Sequence, residues 1–202
     1  MLNLQTILGG LAVLVGFAAY VFYFRDIFLG KTKPHAFSWL IWSILIGTAF
    51  FAQFLNYAGP GAWVTGFSAV MCFSIFLFAL KKGEKNFTLG DKLGLGAASI
   101  ALLLWYFTKN PLTSIFLIIL VDVLGYVPTF RKSFFKPYEE TVLTYFLAGF
   151  KFFFALLALK EYSLITALYP VYLLLSNGIF AGFLWVRRKQ LKKSEERFKF
   201  FP

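Results

Sequence analysis

Apolar stretches long enough to cross a lipid bilayer follow one another along almost the whole chain. A helix needs about 20 mostly apolar residues to span the hydrocarbon core. Only 14% of the residues are charged, against about a quarter in soluble domains. The sequence therefore predicts an all-α membrane protein, a single bundle of seven transmembrane helices. The predicted spans are 4–24, 36–56, 61–81, 92–108, 110–130, 140–159 and 162–186.

The first and fifth stretches share a pattern of residues at an offset of 106 positions. Val15, Tyr20, Val21, Phe24, Arg25 and Phe28 pair with Val121, Tyr126, Val127, Phe130, Arg131 and Phe134. The offset continues without a gap to Lys81 and Lys82, which pair with Arg187 and Arg188. Two three-helix units can run parallel only if an odd number of spans separates them. The span 92–108 is that extra helix, so the sequence predicts a 3+1+3 arrangement of parallel repeats.

The predicted organisation has four parts. Residues 1–86 form the first three-helix repeat, 87–109 the linker helix and 110–188 the second repeat. Residues 189–202 form a basic cytoplasmic tail, which we expect to be a solvated helical extension or disorder without a site.

The basic residues are concentrated on one predicted side of the membrane. Seventeen of the 20 Lys and Arg residues follow spans one, three, five and seven. By the positive-inside rule these segments are cytoplasmic, with the N-terminus outside and the C-terminus inside. No basic leader precedes the first span, which we expect to remain as an anchor in a plasma (inner) membrane. The net charge of +11 then reflects topology and attraction to anionic headgroups rather than nucleic-acid binding.

Three polar residues lie near the middle of the predicted second repeat. Asp122 lies about 9 residues, or roughly 14 Å, from Arg131 at 1.5 Å per residue. Lys151 lies roughly 16 Å from Glu140, and Asn177 roughly 15 Å from Arg187, by the same rise per residue. A lone charge at the bilayer centre costs about 2.5–3.5 kcal/mol, so neither charge should face lipid.

Two interpretations of these residues stay open. Asp122 and Lys151 form a structural ion pair, with Asn177 bonding between helices. Alternatively, all three line a central cavity and contact a polar or charged substrate. In the second interpretation Asp122 is also a candidate to carry a proton in one conformational state.

Aromatic residues lie next to this region. Trp39 and Trp42 share one helix face near the cytoplasmic boundary, either as aromatic-belt anchors or as a clamp for a ring-bearing substrate. Tyr126 lies one turn beyond Asp122 on the same face. Gln53 is a candidate for an outer gate or for an interface residue.

The first repeat has no polar residue at the matching positions. Asp122, Lys151 and Asn177 correspond to Gly16, Leu45 and Met71. We therefore expect an asymmetric site with one polar and one apolar wall, which favours an amphipathic or zwitterionic molecule.

The layout resembles the SWEET and PQ-loop superfamily, whose relatives include PnuC-type vitamin transporters and KDEL receptors. The run Gly125-Tyr126-Val127-Pro128, followed by Arg131 and Lys132, is similar to the PQ-loop motif, in which a proline kinks the first helix of a repeat. Thr129 replaces the glutamine of that motif, and Phe22 stands where the second repeat has Pro128. No characterised subfamily is assigned.

The resemblance implies transport by rocking one three-helix unit against the other, with Pro128, Gly125 and Gly16 as hinge or close-approach residues. SWEET sugar transporters have paired asparagines on spans three and seven. Here Asn177 matches one of them and Met71 replaces the other, which disfavours a sugar.

Other classes of function find little support in the sequence. The sequence has one histidine and one cysteine, too few to predict a cluster that binds a metal or cofactor. It also shows no nucleophile–base pair and no phosphate-binding loop that would indicate an enzyme. We expect a transporter that moves a polar or amphipathic organic solute by alternating access, with proton coupling through Asp122 as an added hypothesis. The alternatives are a receptor or binding protein of the same fold, and a structural membrane protein. The expected partners are a small solute and the lipid bilayer, with a homo-oligomer left open.

Overall fold

All regular secondary structure in the described part of the chain is helical. The computed structural model describes residues 3–85 and 111–200, with scattered positions between them. Within these residues there are six α-helices, two short 3₁₀ turns (Gly59–Ala62 and Pro137–Glu139) and no strand. The predicted linker helix, 87–109, falls outside the described residues apart from those scattered positions. The α-helices are α1 (Leu4–Phe28), α2 (Ala36–Leu55), α3 (Trp63–Lys82), α4 (Pro111–Phe135), α5 (Val142–Leu157) and α6 (Leu164–Phe200).

Several helices have the length and composition of membrane spans. The segments Leu4–Phe28, Ala36–Leu55, Gly59–Lys82 and Leu164–Lys192 are each long and apolar enough to cross a bilayer. The shorter helix α5 is also apolar. Many large apolar side chains point away from the bundle, among them Phe51 and Phe116, each 63% exposed. Exposed apolar surface on this scale is typical of a protein whose outer face contacts lipid.

The helices pack in two similar groups. α3 packs against α1 and α2, and α6 packs in the same way against α4 and α5. The two groups meet where α1 contacts α5 and where α2 contacts α4. The first helix of each group therefore lies on the second helix of the other, and the space between them is the centre of the bundle.

The loops rich in basic residues meet at one end of the bundle, here called the basic end. Lys33 Nζ and a carboxylate oxygen of Glu139 are 3.0 Å apart, and Lys136 Nζ lies 3.1 Å from Glu84. The Arg188 guanidinium donates to the Pro137 carbonyl at 3.1 Å. These contacts join the segments that follow α1, α3 and α4 to Arg188, in the second half of α6. The four segments predicted to share one side of the membrane thus lie together.

Candidate functional site

A small cavity occupies the centre of the bundle. Its volume is about 40 Å³, whereas one water molecule needs about 10–15 Å³ measured in this way. The cavity therefore has room for a few water molecules and is too small for an organic solute in this conformation. All six residues predicted to bind a substrate line it: Trp39, Trp42, Asp122, Tyr126, Lys151 and Asn177.

Asp122 is fully buried and is held by two tyrosines of α6. Tyr169 donates its hydroxyl to Oδ1 at 2.9 Å, and Tyr172 donates to Oδ2 at 2.8 Å. A carboxylate has about four lone-pair sites, so each oxygen keeps capacity for another donor. Since these tyrosines are three residues apart, they lie on one helix face. The carboxylate is thus presented to the cavity from one side.

The sequence pattern did not indicate Tyr169 or Tyr172. Helix α4 continues to Phe135, four residues beyond Arg131, so Asp122 lies roughly 20 Å from the end of its helix at 1.5 Å per residue. A search for donors three or four residues apart on neighbouring spans would have found the pair, because a buried carboxylate needs them.

Lys151 is also buried, and its ammonium group contacts the other half of the molecule. Nζ donates to Ser68 Oγ at 2.7 Å and to the Tyr20 hydroxyl at 3.3 Å. It also lies 4.6 Å from the centre of the Tyr20 ring, within range for a cation–π contact. An ammonium group has three donors, so one remains for the cavity.

The expectation that the first repeat supplies only an apolar wall is wrong, since Tyr20 and Ser68 are polar partners from that half. Gly16, in helix α1, explains how the Lys151 side chain reaches Tyr20 and Ser68. A Cβ atom at Gly16 would lie 3.2 Å from Lys151 Cδ, so the absence of a side chain there lets the lysine stem pass. Pairing repeat positions could not reveal this contact because a long side chain reaches beyond its own position.

The acid and the base share a cavity without pairing with each other. Among the described residues, no ion pair joins Asp122 to Lys151. Each charge is stabilised by neutral hydroxyl groups instead. Both therefore keep unused hydrogen-bonding capacity beside the same small space.

Trp39 and Trp42 face the interior of the bundle, so their interpretation as aromatic-belt anchors is wrong. They are 4% and 5% exposed. The Trp39 ring centre lies 4.9 Å from that of Tyr23, and the Trp42 ring centre 4.7 Å from that of Tyr126. α2 packs between α3 and α4, which turns this face inward and away from lipid.

Within the described residues, the indole N–H group of Trp42 has no hydrogen-bond partner, whereas that of Trp39 interacts with the Tyr23 hydroxyl. Buried donors without a partner are uncommon in folded proteins. Gly125 makes room for the Trp42 indole, because a Cβ atom there would lie 3.2 Å from Trp42 Nε1. One unused donor thus lies next to Gly125, on a residue that lines the cavity.

Asn177 lines the cavity but does not bond to either charge. Its Nδ2 donates to the Leu173 carbonyl of its own helix at 2.9 Å. Asp122, Lys151 and Asn177 were predicted to converge, and all three line this cavity. No hydrogen bond or ion pair joins any two of these side chains.

Two prolines interrupt the helices around the site. Pro128, the predicted hinge, lies inside α4, and Pro170 lies inside α6 beside Tyr169. A proline cannot donate to the carbonyl four residues earlier, which for Pro170 is that of Thr166. Gln53 Nε2 donates to this carbonyl at 3.0 Å. Gln53 is therefore an interface residue: it donates to the Thr166 carbonyl, which Pro170 leaves without a backbone donor.

A second buried polar group lies between the cavity and the basic end. Lys132 and Glu140 form an ion pair with side chains only 2% and 0% exposed. The Tyr23 and Tyr145 hydroxyls both donate to Glu140 Oε2, at 2.9 and 3.1 Å. We call these four residues the Lys132–Glu140 cluster. Tyr145 also lines the cavity, so the cluster forms its wall towards the basic end.

The sequence pattern placed Lys132 in a loop and used Glu140 only to mark the start of a span. Charges next to helix ends usually lie in water, so their burial gave no sequence signal. Their pairing depends on how α4 and the turn before α5 fold together.

Cys72 lies beside Tyr20 at the central cavity. Cys72 is the only cysteine of the sequence, lines the cavity and lies 3.6 Å from the Tyr20 hydroxyl. Among the described residues, no group of three or more His, Cys, Asp or Glu side chains could hold a metal ion.

The chain matches no protein-family model, and comparison with curated proteins and with solved structures finds no significant match.

Proposed function

We propose that this chain is a small membrane transporter that moves a polar or amphipathic organic solute by alternating access. The observation that carries the proposal is the central cavity. Asp122 and Lys151 both line it, but their side chains do not form an ion pair with each other. Burying a charge without a counter-charge is costly. A protein that used these residues only for stability would gain more from pairing them directly.

The proposed architecture is the SWEET-like one, with two parallel three-helix repeats and the linker helix 87–109 between them. The recurring packing of α3 and α6 against their partners supports it. Further support comes from Lys33 and Glu139, which are 106 residues apart and therefore equivalent under the repeat. Their side chains pair at 3.0 Å, and the Lys33 N–H donates to the Glu139 carbonyl at 3.1 Å. Equivalent residues touch only near an axis that relates the two units, so this axis would emerge at the basic end.

In this proposal the structure represents a closed state. The basic end is cytoplasmic in a plasma membrane, with the N-terminus outside, because the positive-inside rule favours that orientation. Opening towards the cytoplasm requires the Lys132–Glu140 cluster to separate. Pro128 and the close approaches at Gly16 and Gly125 let the first helix of each repeat bend or slide during the rocking motion.

Labelling of Cys72 by a membrane-impermeant thiol reagent tests the proposal. The protein would be placed in vesicles of known orientation and treated from one side at a time, with Cys72→Ala as the blank. Alternating access predicts labelling of the folded protein from both sides. Labelling from one side only would favour a receptor or binding protein, and no labelling before unfolding would favour a structural protein.

Proton coupling through Asp122 needs a separate measurement. Asp122→Asn would be assayed in vesicles with saturating solute on both sides and then with an imposed pH gradient. Coupling predicts that the variant still exchanges solute but no longer accumulates it. Full accumulation by the variant would exclude Asp122 as the proton carrier.

A further inference from the structure

We infer that the solute is a small zwitterion with an ammonium and a carboxylate group, such as a free amino acid. The inference rests on the proposed function, because it assigns a substrate class to the same cavity. It depends on three features of that cavity: its balance of charge, its unused hydrogen-bonding groups and its aromatic walls.

The first feature is electrical neutrality. Asp122 and Lys151 carry opposite charges into the same buried space, and each is already held by two hydroxyl groups. A lone cation or anion entering this space would leave one net charge in the low-dielectric centre of the membrane. A zwitterion adds none, and it offers each protein charge a partner of the opposite sign.

The second feature is the set of groups left without partners. The indole N–H group of Trp42 has no partner among the described residues, and the Lys151 ammonium keeps one donor after bonding to Ser68 and Tyr20. A carboxylate accepts several hydrogen bonds at once. On the other side, Asp122 keeps acceptor sites after binding Tyr169 and Tyr172, which suits an ammonium group.

The third feature is the aromatic wall. The Trp42 ring lies 4.7 Å from Tyr126 and 5.1 Å from Trp39, centre to centre. Aromatic faces attract ammonium groups and pack against apolar side chains. A sugar would instead need polar groups all round its ring, and most of the cavity wall offers none.

A binding experiment with charge-matched molecules tests the inference. The full-length protein would be purified in detergent, and its melting temperature measured with L-alanine, L-leucine or L-phenylalanine. L-leucinamide keeps only the positive charge, N-acetyl-L-leucine only the negative one, and D-glucose neither. We expect at least one zwitterion to raise the melting temperature, and no effect of the other three compounds at equal concentration.

A matched pair of variants links any shift to the cavity. Trp42→Phe removes an unused N–H but keeps an aromatic ring, and should weaken the apparent affinity about tenfold, the value of one charge-assisted hydrogen bond. The control is Trp185→Phe, since Trp185 is 55% exposed and does not line the cavity. This variant should bind as the wild type does.

The outcomes separate this inference from the proposed function. If D-glucose or a singly charged compound raises the melting temperature and Trp42→Phe abolishes the effect, the cavity binds a solute but the zwitterion is wrong. If no zwitterion produces a shift, or if Trp42→Phe and Trp185→Phe weaken binding equally, the inference fails. The proposed function then stands or falls on the labelling of Cys72 from the two sides.

Discussion

Two groups of buried charges among the described residues are built differently. In the Lys132–Glu140 cluster the opposite charges touch, and the carboxylate also accepts from two tyrosines. In the central cavity Asp122 and Lys151 do not pair with each other; each is held by two hydroxyl groups, and Lys151 also contacts the Tyr20 ring. The cluster is packed against the turn before α5, whereas the central charges border open space.

In the proposed function, this difference separates residues that stabilise the bundle from residues that bind the solute. A direct buried ion pair with satisfied hydrogen bonds is stable as it is, and costs much free energy when one member is lost. Charged groups beside a cavity that keep spare donors or acceptors can instead form hydrogen bonds with a bound ligand. In the proposed transporter, the first arrangement closes the basic end and the second recognises the solute.

The largest expected effect is on the Lys132–Glu140 cluster. Glu140→Gln leaves the Lys132 ammonium buried without a counter-charge, which should lower the free energy of unfolding by about 3–5 kcal/mol. Chemical unfolding in detergent, followed by tryptophan fluorescence, measures this loss.

Glu139→Gln provides the control for this change. Its partner Lys33 has a side chain 47% exposed, and exposed pairs contribute only about 0–1 kcal/mol. If the two variants lose the same stability, the Lys132–Glu140 pair is not the closing contact described above.

A smaller effect should distinguish the tyrosines of the two groups. Tyr169→Phe removes one of two donors from Asp122, whose charge has no ionic partner, and should cost about 1.5–3 kcal/mol. Tyr23→Phe removes a donor from Glu140, which keeps Lys132 and Tyr145, and should cost about 0.5–1.5 kcal/mol. Unfolding curves of the two variants would contradict the comparison if the Tyr23 change cost as much as the Tyr169 change.

The central site was partly predictable because polar residues stand out in apolar sequence. Asp122, Lys151 and Asn177 interrupt long hydrophobic runs, and the cost of a charge in lipid directs them inward. The all-helical architecture was predicted for the same reason, since membrane spans need long apolar stretches.

What the sequence could not predict is which side chains meet. Tyr169 and Tyr172 look like ordinary aromatic residues of a span until the depth of Asp122 is known. Ser68 contacts Lys151 only because Gly16 leaves a path between helices. Glu140 lies at a loop boundary, where a charge is normally in water. Such contacts depend on the register between helices, which the hydrophobic pattern leaves free.

Asp122→Asn should have the smallest effect on stability and a large effect on binding. The amide oxygen still accepts from one tyrosine, and the buried negative charge is gone, so the free energy of unfolding should stay within about 1 kcal/mol of the wild type. The apparent affinity for a zwitterion such as L-leucine should fall at least about tenfold, because its ammonium group loses a charged partner. Melting curves with and without L-leucine measure both quantities on the same sample. A variant that loses several kcal/mol and binds normally would show that Asp122 holds the bundle as Glu140 does, and the contrast between the two groups would disappear.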